Sequence, residues 1–271
     1  MSKRLHATFN RLRRQRRAAL IPFVMGGDPS LATTGPLLIT LQEAGADAIE
    51  VGIPFSDPLA DGPVIQAASA RALARGATPA RVLRAIASVR RWLRVPVLVL
   101  TYWNPLIQFG AAAGLPRPER FLRAARASGC DGVIVPDLPV EEGDGFRRAA
   151  RRAGLAGVFL AAPTSSPQRL RAIARASEGF IYYVSVTGTT GARRALPPQL
   201  VHGIRELKLL TTKPVCVGFG ISTPAQAARV ARVADGVIIG SALIRAMDGA
   251  ASRAAACLRA GAFVKRMRRA I

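Results

Sequence analysis

Two carboxylates eleven positions apart carry the strongest chemical signal in this chain of 271 residues. Glu50 lies inside AIEVGIP (48–54), an apolar run with β-branched residues that reads as a buried strand. Side chains alternate along a strand, so Ala48, Glu50 and Gly52 share one face and Ile49, Val51 and Ile53 the other. A lone buried carboxylate costs several kcal/mol, roughly, unless it is paired or neutralised. Glu50 therefore points to general acid–base chemistry. Asp61 follows in PLADGP, a loop of Pro and Gly; the other reading of it is a cap on the helix that starts near Pro63. Tyr182 and Tyr183 are adjacent in a further strand-like run, so one of them faces inward. There a phenol can hold or tune a buried acid, and the alternative is core packing.

The sixteen acidic residues are few, and Asp28, Glu50, Asp57, Asp61 and Asp137 all fall at or just after the ends of strand-like runs. Asp28 in GGDPS and Asp57 in SDP read as turn or cap residues. Asp137 in PDLP orders its loop or a partner surface. Other chemistries lack raw material. The histidines are His6 and His202, and Cys130, Cys216 and Cys257 are far apart, which leaves no metal site and no Ser-His-Asp triad to expect. Cysteine usage points to a reduced, cytoplasmic protein. None of Lys3, Lys208, Lys213 and Lys265 follows a strand, which argues against a Schiff-base lysine. Three glycine-rich segments, TGTTGARR (187–194), GFGIST (218–223) and GSA (240–242), suit phosphate held on backbone N–H groups, against ordinary turn chemistry.

The elements that must position these residues alternate from end to end. Strand-like runs at 19–27, 48–54, 95–102, 132–139, 157–163, 179–185, 214–220 and 236–242 are separated by amphipathic segments such as Pro118 to Ser128. Eight βα units predict a (β/α)₈ TIM barrel in one domain over 1–271, with an extra N-terminal helix at 2–14 and a last helix from about Ala250. A doubly wound sheet is the competitor, but no GxGxxG turn or strand-order switch supports it. The long connections 54–63 and 186–198 follow strands, so both lie on the catalytic face as lids.

A net charge of +23 raises a nucleic-acid reading. Arginine is spread over nearly every predicted helix, however, which fits solvated faces and weak, salt-sensitive association with polyanions rather than specific nucleic-acid binding. No apolar run reaches the ~18 residues of a membrane span. The basic N-terminus has no signal-peptide core, and a transit peptide is disfavoured because the strand at Ala19 follows at once.

PFVMGGDPS, AGADAIEVGIPFSDPLADGPVIQ, PDLPVEE, YYVSVTGTTGAR, GFGIST and GSALI together resemble the tryptophan synthase α-subunit family, in order and over essentially the whole chain. The resemblance implies retro-aldol cleavage of indole-3-glycerol phosphate to indole and glyceraldehyde 3-phosphate. It implies Glu50 as the acid at indole C3, Asp61 as the group facing the indole N–H, and Tyr182 beside them. Phosphate would meet Gly191, Gly220, Gly240 and Ser241, and Phe23 and Leu100 would line the indole pocket. The implied partner is a β subunit in an α₂β₂ heterotetramer, near Asp57, Pro58, Asn104 and Pro139. No cofactor is expected here, since pyridoxal phosphate belongs to β. Alternatives are a free-standing lyase with the same motifs, a non-catalytic subunit, and a polyanion-binding protein. The high arginine content and basic termini depart from the family pattern.

Overall fold

The computed structural model describes residues 2–110, 117–184, 198–218 and 220–271. Nine parallel strands form one sheet: β1 (Ala19–Met25), β2 (Ile49–Gly52), β3 (Val97–Leu100), β4 (Gly132–Ile134), β5 (Ala156–Val158), β6 (Leu160–Ala161), β7 (Ile181–Val184), β8 (Val215–Gly218) and β9 (Gly236–Ile239). Their order is β5-β4-β3-β2-β1-β9-β8-β7-β6. The sheet's two edges, β5 and β6, are consecutive in the chain and separated only by Phe159. They are the two halves of the fifth expected strand, so the nine segments make an eight-strand barrel. The apolar run GVFLAAP gave no sign of that break. The Tyr182 N–H donates to the Phe159 carbonyl at 3.2 Å and spans the junction. The other strands fall within the predicted runs and are shorter, because their outer residues form the loops of the barrel's rims.

The strands are buried nearly throughout, as a parallel sheet covered by helices requires. Proline opens the helices Pro63–Ala74, Pro79–Val89, Pro118–Ala127, Pro167–Ala176, Pro198–Leu210 and Pro224–Ala231. Its φ is already helical and its missing N–H has no partner to lose there. Thr78, Ser166 and Thr223 cap three of these helices through side-chain oxygens. Phe121, Leu122 and Ala125 turn inward on Pro118–Ala127, as its periodicity predicts.

The helix Lys3–Arg14 closes the floor of the barrel, at the strands' N-terminal ends. It buries Leu5, Phe9 and Leu12, with the Phe9 ring 5.6 Å from that of Phe180. Two buried aspartates fasten this floor. Asp131 accepts from Ser2 Oγ at 2.7 Å, from Arg4 at 2.9 Å and from the Val97 N–H at 3.0 Å. Asp47 pairs with Arg17 at 2.7 Å and Arg268 at 2.8 Å.

Candidate active site

Register sets the site. Phe23 on β1, Glu50 on β2 and Leu98 on β3 are lateral neighbours, and Met25, Gly52 and Leu100 form the next layer toward the C-terminal rim. Side chains in one such layer share a face. Glu50 is fully buried, and neither carboxyl oxygen has a hydrogen-bond partner among the described residues. Burial pushes its pKa from 4.5 up to about 8, and the nearby charge of Asp61 adds to the shift. At neutral pH Glu50 therefore carries a proton.

Asp61 does not cap the following helix. Gly62 occupies the N-cap with no side-chain hydrogen bond, which removes the capping alternative. Partial burial raises the Asp61 pKa to about 6, while a hydrogen bond from Tyr102 pulls it down. The two acids are thus separated: Glu50 keeps its proton at pH 7 and Asp61 is largely ionised. Tyr102 is itself buried, and its oxygen accepts from the Ala60 N–H at 2.9 Å. It pins the 54–63 loop beside Asp61. The sequence reading did not single out Tyr102. Its signal was an aromatic residue at the end of a predicted strand, which resembles any core residue.

Tyr182, not Tyr183, is the inward phenol. Burial, then Glu50 and Asp61, drive its pKa well upward. Tyr183 points outward onto the helix Pro198–Leu210, where its oxygen sits over Gly203. Gly218 on β8 makes room for the inward ring: a Cβ there would lie 2.6 Å from the Tyr182 oxygen.

Phe23 and Leu100 are both buried beside this cluster. The Phe23 ring fills the space that a side chain on Gly52 would occupy, and it lies within van der Waals reach of Gly240. Gly240 follows β9 and is the N-cap of the helix Ser241–Met247, with Ser241 its first residue. Gly220, just past β8, has φ +76°. All of these lie at the C-terminal rim. Gly191, with nearly all of the 186–198 connection, lies outside the described residues.

The other rim acids have structural partners. Asp28 is buried and binds Arg71 through both oxygens, at 2.9 and 2.8 Å, and Arg71 also reaches Asp248 at 3.5 Å. Asp28 is therefore more than a turn residue, and its partner 43 positions away was not legible. Asp137 accepts from the Trp103 N–H at 2.9 Å and orders the neighbouring loop. Asp57 is exposed and accepts from Ser56 Oγ, as a turn residue does. Among the described residues no cluster of His, Cys, Asp and Glu is arranged to hold a metal ion.

Fold and site together define a class: a (β/α)₈ barrel enzyme with a fully buried carboxyl group, Glu50, and a partly buried one, Asp61, toward the C-terminal ends of its strands. The family model described as tryptophan synthase alpha chain matches residues 9–271. The tryptophan synthase alpha chain of Geotalea daltonii is 48% identical over 245 residues, 90% of each chain. That of Gloeobacter violaceus is 50% identical over 249 residues, 92% of this chain and 88% of the relative. Tryptophan synthase subunit alpha from Legionella pneumophila superposes with a TM-score of 0.88 at 37% identity, covering 100% of this chain and 98% of that one. The chain belongs to the tryptophan synthase alpha chain family. It is a lyase of tryptophan biosynthesis, and the family's reaction cleaves indole-3-glycerol phosphate to indole and glyceraldehyde 3-phosphate.

Proposed function

We propose that Glu50 carries the proton transfers of this cleavage while Asp61 stabilises the charge that develops at the indole N–H, with Tyr182 as the group that positions Glu50. The observation that carries the proposal is the split between two neighbouring acids, one held protonated to about pH 8 and the other ionised above about pH 6. Neutral Glu50 delivers its proton to indole C3, which turns the ring into a leaving group. Ionised Asp61 faces the indole N–H and stabilises the positive charge that develops on the ring. The carboxylate left on Glu50 then takes the proton of the glycerol hydroxyl next to the breaking bond. As that C–C bond cleaves, its electrons return to the ring, giving indole and an aldehyde. Glu50 ends protonated, so the cycle closes without a metal or an organic cofactor.

Indole-3-glycerol phosphate sits in this reading with its ring between Phe23 and Leu100 and its phosphate at Gly191, Gly220, Gly240 and Ser241. The N–H groups at the start of the helix Ser241–Met247 support the phosphate end. The whole chain acts as one domain, in the cytoplasm, and passes indole to a β subunit in an α₂β₂ assembly that carries the pyridoxal phosphate. Asp57, Asn104 and Pro139 are exposed on the same rim, and Leu59 beside them is 92% exposed, an apolar side chain suited to burial by a partner.

Glu50→Gln and Asp61→Asn test the assignment. Each is expected to lower indole formation by about a thousandfold or more while the barrel stays folded by circular dichroism. Turnover within about tenfold of wild type in either variant removes that residue from the mechanism.

A further inference from the structure

A cavity of about 720 Å³ opens at the floor of the barrel, at the end opposite Glu50. Its walls come from the helix Lys3–Arg14 and the turn after it, and from the residues that lead into β7, β8 and β9. Eight arginine and lysine side chains line it against two carboxylates, Glu178 and Asp235. Both acids pair with cations, Glu178 with Arg151 at 2.8 Å through Oε1 only, its buried Oε2 having no hydrogen-bond partner among the described residues, and Asp235 with Lys208 at 3.0 Å. Arg17 is held by Asp47, and the Lys213 ammonium donates to the carbonyls of Ala174, Arg175 and Ser177. Arg13, Arg16, Arg175 and Arg232 remain, exposed and with no acidic partner among the described residues.

Arg16 adds a separate observation. It has φ +51° and is the one non-glycine residue described with a left-handed backbone. It follows the C-cap of the first helix, where glycine or asparagine avoids a cost of about 1 kcal/mol. An arginine kept at that cost, on the wall of a cavity already rich in positive charge, fits a bound anion better than a bare turn.

We propose that this basal cavity binds a compact multivalent phosphate anion, a chain of two or more linked phosphates. Guanidinium groups present planar N–H forks matched to phosphate oxygens. Four of them line the cavity from three parts of the chain, so one ligand would join the first helix to the C-terminal ends of the helices Pro167–Ala176 and Pro224–Ala231. The concave shape and volume suit a small molecule. A nucleic-acid duplex, about 20 Å across, does not enter such a space, and the phosphate backbone of a long polyanion would track a groove rather than fill a pocket.

The test is titration of the full chain with inorganic tripolyphosphate by calorimetry at near-physiological salt, with glycerol 3-phosphate saturating the catalytic rim. Two variants of equal charge are compared: R13Q/R175Q/R232Q in the cavity and R84Q/R123Q/R171Q on outer helix faces. All six positions are exposed, so both variants should fold. The expected result is one site in the wild type, with the cavity variant at least about tenfold weaker than the surface variant. No binding by the wild type, or any smaller separation between the variants, overturns the site. A parallel titration with ATP identifies the source: tighter binding than tripolyphosphate assigns a nucleotide, and equal or weaker binding assigns a free phosphate chain. Indole formation should be equal in both variants, since neither touches the catalytic rim.

Discussion

Glu50 is held in a state that favours chemistry over stability. Its carboxyl is fully buried with no hydrogen-bond partner among the described residues, and its pKa rises from 4.5 to about 8. The sign of the linkage follows. Between those two values the folded chain holds a proton that the unfolded chain has released, so stability falls as pH rises from about 4.5 to about 8 and is level beyond. Glu50→Gln keeps the shape and removes the charge. It should therefore raise the unfolding free energy at pH 8.5 by roughly 1–4 kcal/mol, with little change at pH 4.5. Paired thermal melts at the two pH values check this; equal effects at both would rule out a burial penalty. The same two acids shape the rate. Activity needs Asp61 ionised and Glu50 protonated, so kcat/KM should climb through an apparent pKa near about 6 and decline through one near about 8. Asp61→Asn should remove the acid limb from whatever activity is left.

Two contacts between elements hold the 54–63 connection in place over these acids. Tyr102, just past β3, receives the Ala60 N–H, and Ser69, on the helix Pro63–Ala74, both accepts from the Phe55 N–H and donates to the Phe55 carbonyl, each at 2.9 Å. Ser69→Ala removes both bonds at a buried position. It should cost about 1–3 kcal/mol of local order and lower kcat by about tenfold, with KM less affected. Steady-state kinetics at fixed pH measures the split. A second close fit lies across the barrel, where a Cβ at Gly218 would meet the Tyr182 oxygen. The sequence makes some of this visible and hides the rest, for physical reasons. Glu50 stands out because a charge interrupts an apolar strand, and the strands stand out because Pro and Gly punctuate them. Phe159, which breaks the fifth strand, is as apolar as its neighbours, so the run looks continuous. Tyr102 looks like core, and Arg71 looks like one more exposed helix arginine until the fold brings Asp28 to it. Long-range pairing is the information that a local pattern lacks.

At the scale of the whole molecule the barrel separates its duties by end. The C-terminal end holds Glu50 and Asp61, both raised in pKa, and the floor holds Asp47 and Asp131, buried acids engaged by cations and backbone. Asp131 ties the first helix, through Ser2 and Arg4, to the Val97 N–H, and Arg90 approaches it at 3.5 Å. Asp131→Ala strands a buried N–H and a largely buried guanidinium. Breaking one partner of a buried pair costs about 3–5 kcal/mol, a large share of the 5–15 kcal/mol that holds a typical domain together. In a chain of this length that corresponds to a fall in Tm of roughly 10 °C. The acid lies at the far end from Glu50, so kcat measured at 25 °C on the folded fraction should stay within about twofold of wild type. Glu50→Gln predicts the opposite pair of effects, a gain in stability and a loss of turnover. Melting curves and indole assays on the two variants side by side therefore test the division directly. If Asp131→Ala lost more than about tenfold in kcat without a drop in Tm, the floor would be coupled to the chemistry and the separation of ends would fail.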